Sequence, residues 1–329
     1  MPCYSPLKGW KDKDSGGIRF TRDGSCAEEM EVACGQCLGC RLDRSRMWAM
    51  RIVHESTLHE PDGGNCFVTL TYRDRGECTV EQLEEGWHVP DDWSLHKSHF
   101  QKFMKRLRKH LSPQKVRFFH CGEYGNRCKH GIDLELVGCP LCNVGRPHYH
   151  ACLFNCSFTD LVAYGSHNGE LRYTSPTLES IWKYGFVDVG QLNFQSAAYV
   201  ARYIMKKVTG PRSDDHYMQT DFDGVVTFVE PEYITMSRRP GIGREWFEKY
   251  KEDLFPSDEV PVPGYGVLKK VPRYYDELQG ELEPEVLEEV KRLRQVFRRE
   301  HGEDYTPARL MDKYKVKKAQ VAMLKRRVE

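Results

Sequence analysis

The run GRPHYHACLF (Gly145–Phe154) sets two histidines one residue apart inside a β-like segment. Successive side chains in a strand point to opposite faces, so His148 and His150 share one face and Tyr149 takes the other. A two-pronged metal clamp needs that placement, and two half-buried histidines satisfied by backbone groups would show it equally. The pair alone does not choose between these readings, so further ligands have to be sought in the neighbouring segments.

Upstream, KVRFFHCGEY (Lys115–Tyr124) reads as a strand that ends beside Glu123, and CFVTLTY (Cys66–Tyr72) as another, from β-branched and aromatic content. Between them SLHKSHFQKFMKRLRKHL has helical periodicity, with Phe100, Phe103, Met104, Leu107 and Leu111 on one face. LDRSRMWAMRIVHESTL (Leu42–Leu58), SPTLESIWKYG (Ser175–Gly185) and SAAYVARYIMKKV (Ser196–Val208) also read as helices, and FVDVGQL as extended chain. This order predicts an α+β fold with a mainly antiparallel central sheet, covered by helices on one face. Residues 1–60 form a Cys-rich segment, loop-rich over the first 40, followed by a helix. Residues 61–255 form the main domain, with a Cys/His insert at 126–144, and residues 256–329 a Pro/Gly linker and C-terminal helices.

The 329 residues, 40% of them hydrophobic, suffice for a substantial core. No apolar run is long enough to cross a bilayer, and MPCYSPLKGW has no basic, apolar leader, so a cytoplasmic protein without membrane contact is expected. A net charge of +1 conceals basic strips at Lys102–Arg117, Ala201–Lys207 and Lys291–Arg299. Such strips are solvated helix faces or phosphate contacts. Lys105, Arg106, Arg108, Arg202, Lys207, Arg238 and Arg239 are the candidate DNA-binding cations.

A carboxylate at Glu123 beside the two imidazoles would leave open positions for water and phosphate oxygens, which suits Mg²⁺ or Mn²⁺ in phosphoryl chemistry. Downstream, Tyr199, Arg202, Tyr203 and Lys206 fall within an arc of about 100° on a helix, opposite a separate apolar face. A phenol has a pKa near 10, so a nucleophilic tyrosine needs neighbouring positive charge or a polarised target. Arg202 and Lys206 offer that charge, and the histidine pair would hold the metal.

FVTLTY, RPHYH and YVARYIMK together resemble the three ordered motifs of the HUH endonucleases that initiate rolling-circle replication. CGQCLGCRLDRSRMWAMRIVHE, HFQKFMKRLRKH, CGEYG and MSRRPGIGREWFEKY extend the likeness to microvirus replication initiators, especially the gokushovirus group, over most of residues 30–276. The resemblance implies an HUH-like central antiparallel sheet with flanking helices. It assigns His148 and His150 as metal ligands with Glu123 as the acidic third, Tyr199 and Tyr203 as nucleophiles, and Lys206 as the motif lysine. Arg202 stands where relatives often have Lys, keeping the charge but changing its geometry. The implied enzyme is a metal-dependent tyrosine DNA endonuclease and strand-joining enzyme. It nicks the origin of double-stranded replicative DNA through a 5′-phosphotyrosine, then rejoins the strand to release circular single-stranded DNA. No G-x-x-x-x-G-K-[ST] motif is present, so a host helicase would unwind and a host polymerase extend, in a bacterial cytoplasm. The rival readings are an HUH transposase or relaxase, and a non-catalytic, zinc-dependent, sequence-specific DNA-binding protein.

Thirteen cysteines without an export signal read as metal ligands or buried thiols before disulfides. CGQCLGC supplies Cys34, Cys37 and Cys40, with Cys3 or Cys26 as the fourth candidate, and its spacing suits structural Zn²⁺. CKHGIDLELVGCPLC supplies Cys128, His130, Cys139 and Cys142, a second candidate zinc set inside a connection that is short in the simplest family pattern.

Overall fold

A computed structural model describes residues 3–15, 17–59, 64–167, 170–202, 207–208 and 210–325. A seven-stranded, wholly antiparallel sheet lies at its centre. The chain enters through β1 (Leu7–Asp12), β2 (Ile18–Arg19) and β3 (Cys26–Val32), then α1 (Leu38–Thr57), β4 (Asn65–Tyr72), the short α2 (Val80–Glu84), α3 (Lys97–His110), β5 (Arg117–Tyr124) and β6 (Pro147–Phe154). There follow β7 (Val162–His167), β8 (Glu170–Thr174), α4 (Pro176–Trp182), β9 (Gly185–Gly190), α5 (Phe194–Arg202), α6 (Ser213–Tyr217), β10 (Met218–Thr220), β11 (Val226–Phe228) and β12 (Tyr233–Met236). The chain closes with α7 (Arg244–Leu254), β13 (Glu259–Val262), β14 (Gly266–Lys269), α8 (Arg273–Leu282), α9 (Pro284–Glu300) and α10 (Pro307–Lys325). Across the sheet the order is β12-β5-β6-β4-β9-β8-β7.

The α+β class agrees with the sequence reading, but helices cover both faces of the sheet rather than one. Val68, Leu70, Tyr149, Ala151 and Leu153 face α3 and α4, where Phe100, Phe103, Leu107 and Trp182 are buried. Phe67, Phe119, Cys121, Cys152 and Phe154 face α1, α5 and α7. Strands apolar on both faces need two covering layers. Buried Glu55 of α1 is paired with Arg117 of β5 and accepts the Gly243 amide at 2.7 Å, which ties α1 both to the sheet and to the start of α7.

The first 40 residues are also less loop-rich than their composition suggests, because β1, β2 and β3 form a small antiparallel sheet. LKGWKD and CAEEMEV carry little of the apolar alternation that marks a strand. Residues 256–270 form the β13–β14 hairpin, and Val260, Val262, Val271, Tyr275, Leu278, Leu287 and Val290 join the core beneath α1 and α7. Among the described residues no helix is long and apolar enough to cross a membrane.

Candidate metal centre and tyrosine site

The β5–β6 register sets Glu123 directly opposite His148 and Cys121 opposite His150, despite the insert between the strands. Strand parity turns all three polar side chains toward the α1/α5 layer. Two ring nitrogens converge on one carboxylate oxygen: His148 Nε2 lies 2.6 Å and His150 Nε2 2.7 Å from Glu123 Oε1. The side chain of Glu123 is 2% exposed and that of His148 is 18% exposed, so the cluster opens to solvent on the His148 side.

The other ring nitrogens are already engaged. His148 Nδ1 donates to the Arg146 carbonyl at 3.1 Å, and His150 Nδ1 meets the Thr69 hydroxyl at 2.9 Å. A carbonyl can only accept, so His148 carries its proton on Nδ1, and its Nε2 lone pair faces the carboxylate. Thr69 can accept from His150 in the same sense. Electron pairs from two imidazoles and a carboxylate then meet at one point, which demands either extra protons or a cation between them. With the extra protons on the two Nε2 atoms, burial pushes the Glu123 carboxyl upward, but the charge and hydrogen bonds of the two imidazoliums outweigh it and hold the group well below the carboxylate range. The donor set of two His and one carboxylate, its three ligand atoms within 4.8 Å of one another, fits a divalent cation with free positions.

Helix α5 crosses this face. Asn193 Oδ1 accepts the Ser196 amide at 2.9 Å and the Asn193 amide donates to Ser196 Oγ at 2.9 Å, so the helix begins two residues ahead of the expected Ser196. Ala197, Val200 and Ala201 are buried, and Ser45 Oγ of α1 donates to the Ala198 carbonyl at 3.5 Å. With its small side chains against α1, the helix turns Tyr199 toward the metal centre. The Tyr199 ring stands edge-on to His150, centroids 5.2 Å apart, and the Arg202 guanidinium lies 5.7 Å from its centre. Phe67 stacks on His150 at 5.6 Å and stands edge-on to the Tyr199 ring at 6.2 Å, so the three rings pack around one another. Tyr203 and Lys206 lie outside the described residues, and exposed Lys207 follows them.

The remaining predicted residues divide. Cys3, Cys34, Cys37 and Cys40 bring their sulfurs within 4.8 Å of one another, as do the ligand atoms of Cys128, His130, Cys139 and Cys142. Cys3 therefore joins the first group, while Cys26 Sγ sits against the Thr21 carbonyl at 3.7 Å. The other candidate cations are not gathered at the tyrosine site. Arg106 donates to the Ile181 and Trp182 carbonyls at 2.6 and 3.0 Å, and Arg108 to the Val116 carbonyl at 3.1 and 3.0 Å. Both belong to α3, as does exposed Lys105, on the sheet face away from the histidines. Exposed Arg238 and Arg239 follow β12 at the end of β5 remote from Glu123. Thr69, the Arg146 carbonyl and Phe67 were missed as functional groups. The parity of FVTLT carried the signal for Thr69, since an alternating strand sets Thr69 and Phe67 on one face, and Thr69 pairs with His150.

The sequence model of the Replication-associated protein ORF2/G2P family matches residues 65–208, the span holding Glu123, His148, His150 and Tyr199. The chain is 32% identical to the Replication-associated protein ORF2 of Spiroplasma virus 4 over 293 residues, 84% of this chain and 79% of that one. It is 30% identical to the Replication-associated protein VP4 of Bdellovibrio phage phiMH2K, covering 87% of this chain and 79% of the relative. Identity to the Replication-associated protein ORF4 of Chlamydia phage 1 is 27%, over 76% of this chain and 54% of that protein. The chain belongs to this family of phage replication-associated proteins. No solved structure matches it.

Proposed function

We propose that this chain is an HUH-type replication initiator, which nicks the origin of circular phage DNA through a phosphotyrosine and later rejoins the strand. The observation that carries this reading is the sharing of Glu123 Oε1 by His148 Nε2 and His150 Nε2, with the Tyr199 ring edge-on to His150. A buried carboxylate flanked by two imidazoles contributes little to stability compared with apolar packing, and such arrangements concentrate at working sites.

Glu123, His148 and His150 would hold Mg²⁺ or Mn²⁺, which supplies polarisation of the scissile phosphate when bound. Thr69 and the Arg146 carbonyl keep both imidazoles turned with Nε2 inward. The Tyr199 hydroxyl oxygen attacks phosphorus as the bond to the 3′ oxygen breaks; the phenolic proton leaves to solvent and the 3′ oxygen takes up a proton. Arg202 favours the phenolate and offers charge to the phosphate. Phosphodiester energy is kept in the tyrosine–phosphate bond, so no nucleotide is consumed. By the family resemblance Tyr203 would perform the second cut and Lys206 would assist. The released 3′ hydroxyl then attacks the first phosphotyrosine and closes the circle. We assign this chemistry to residues 61–255, acting in the host bacterial cytoplasm with a host helicase and polymerase.

The test is incubation of supercoiled origin DNA with the protein and Mn²⁺, followed by peptide mapping of any adduct. The expected result is a protein covalently attached to the 5′ end at Tyr199 or Tyr203, with Y199F/Y203F neither cutting nor attaching. Cutting retained by that double variant overturns the tyrosine assignment. A protein that shifts origin DNA without ever attaching overturns the enzyme reading.

A further inference from the structure

Two cysteine-rich quartets lie outside the candidate metal centre, and the geometry points to each as a closed structural zinc site, so that the chain carries two zinc ions besides any catalytic cation. Cys3 Sγ lies 3.5 Å from Cys34 Sγ and 3.8 Å from Cys37 Sγ. Sulfurs at the corners of a tetrahedron around zinc, each about 2.3 Å from the ion, are about 3.8 Å apart. Disulfide sulfurs would be separated by only about 2.05 Å. In the second quartet His130 Nδ1 lies 3.4 Å from Cys139 Sγ, 3.4 Å from Cys142 Sγ and 3.9 Å from Cys128 Sγ. About 3.6 Å is expected between sulfur and nitrogen ligands on one zinc.

The backbone is arranged for thiolates. In the first quartet the amides of Cys34, Tyr4 and Cys37 donate to Cys3, Cys37 and Cys34 Sγ at 3.3, 3.3 and 3.2 Å. Gly35, at φ +73°, makes the tight turn between Cys34 and Cys37. In the second, Gly131 and Gly138, at φ +77° and +76°, turn the chain beside His130 and Cys139. Four sulfurs in the first quartet, and three sulfurs with one imidazole in the second, leave no position for water or substrate, which selects Zn²⁺ over Mg²⁺ or Mn²⁺ and makes both sites structural.

Each quartet fastens a different part of the site. The first ties residues 3 and 4 to the start of α1, the helix on which α5 rests, and Tyr4 packs edge-on against Tyr314 of α10 at 5.7 Å. The second closes the β5–β6 insert and pins it to the segment after the tyrosine helix. Thr220 donates its amide to the Leu141 carbonyl at 2.7 Å, Asn143 Nδ2 donates to the Asp215 carbonyl at 3.0 Å, and His130 meets the Phe222 ring at 4.7 Å. Val208 in turn donates its amide to Tyr217 Oη at 2.9 Å. Residues 128–142 thus act as a positioning element for the described residues from Val208 to Phe222, downstream of α5.

The test is metal analysis of full-length protein expressed with zinc, cobalt and iron supplied in turn, and it is independent of any strand cutting. The expected result is about two zinc per chain, unchanged in H148A/H150A and in C26S, and about one in C128S/C142S and in C34S/C37S. Co²⁺-substituted protein should show sulfur-to-cobalt charge transfer and tetrahedral ligand-field bands, so the assignment remains testable on the wild type if a cysteine variant does not fold. Iron as the bound metal, or folded wild-type protein with less than half a zinc per chain, overturns the proposal. A content unchanged by substitution of one quartet overturns that site. The positioning role predicts faster amide exchange at Thr220 in C128S/C142S than in C34S/C37S; equal rates overturn it.

Discussion

Thr69 is the side chain on which the orientation of His150 depends. Its hydroxyl is 2.9 Å from His150 Nδ1, and the adjacent Phe67 ring stacks on the same imidazole. Substitution by valine keeps the shape but leaves the ring nitrogen without its partner, and loss of such outer partners typically costs about 10–100-fold in metal affinity. T69V is therefore expected to raise the Mn²⁺ concentration for half-maximal nicking by that factor, with T69S close to wild type. A metal titration of the nicking rate checks this; an unchanged midpoint would contradict the second-layer role. The shared face of the two histidines was legible because strand parity is absolute: His148 and His150 must share a face once PHYHACLF is a strand. For Thr69 parity gives only the face; its pairing with His150 was not legible, since that partner lies on another strand and register cannot be read from either strand alone.

At the scale of elements, the β5–β6 hairpin has to bring Glu123 opposite His148 across the insert, and it does so at a neck of two glycines. A Cβ on Gly145 would stand 1.7 Å from the Gly125 carbonyl oxygen, so the two backbones approach too closely for any side chain. Just beyond, the Arg146 carbonyl accepts the Gly125 amide at 2.9 Å and also His148 Nδ1 at 3.1 Å. One carbonyl thus couples hairpin closure to the orientation of the His148 imidazole. G145A is expected to force the neck apart, costing roughly 1–3 kcal/mol of stability or more and weakening metal binding at His148. Thermal unfolding combined with a Mn²⁺ titration measures both, and a variant with lowered stability but wild-type metal affinity would uncouple neck from site. The neighbouring β4, α1, α3 and α5 were legible from periodicity, whereas β12, which pairs with β5, was not. The shorter β7–β8, β10–β11 and β13–β14 hairpins were not, because their side chains are largely exposed or bury one residue in two, and too few positions repeat to mark a period.

At the scale of the whole molecule, the core that carries the candidate site does not stop where the composition changes. The composition of FPSDEVPVPGYG invites a boundary near residue 256, since prolines and glycines are typical of linkers. Beyond that point, however, Val260, Val262, Val271, Tyr275, Leu278, Leu287 and Val290 are buried against Val53, Trp246 and Phe247. Tyr275 Oη also lies 2.9 Å from His54 Nδ1, and Arg294 pairs with Asp258 and Asp276 at 2.6 and 2.8 Å. Burying a large apolar side chain contributes about 1.5–3 kcal/mol, so these seven account for on the order of 10–20 kcal/mol. That equals or exceeds the net stability of about 5–15 kcal/mol typical of a folded protein. A chain ending at residue 255 should therefore lose cooperative thermal unfolding, whereas one ending at residue 301 keeps all seven side chains and should retain it. Calorimetry of the two truncations decides between a separable nicking domain and a single cooperative unit. A sharp transition in the 1–255 chain within a few degrees of full length would restore the boundary that the composition suggests.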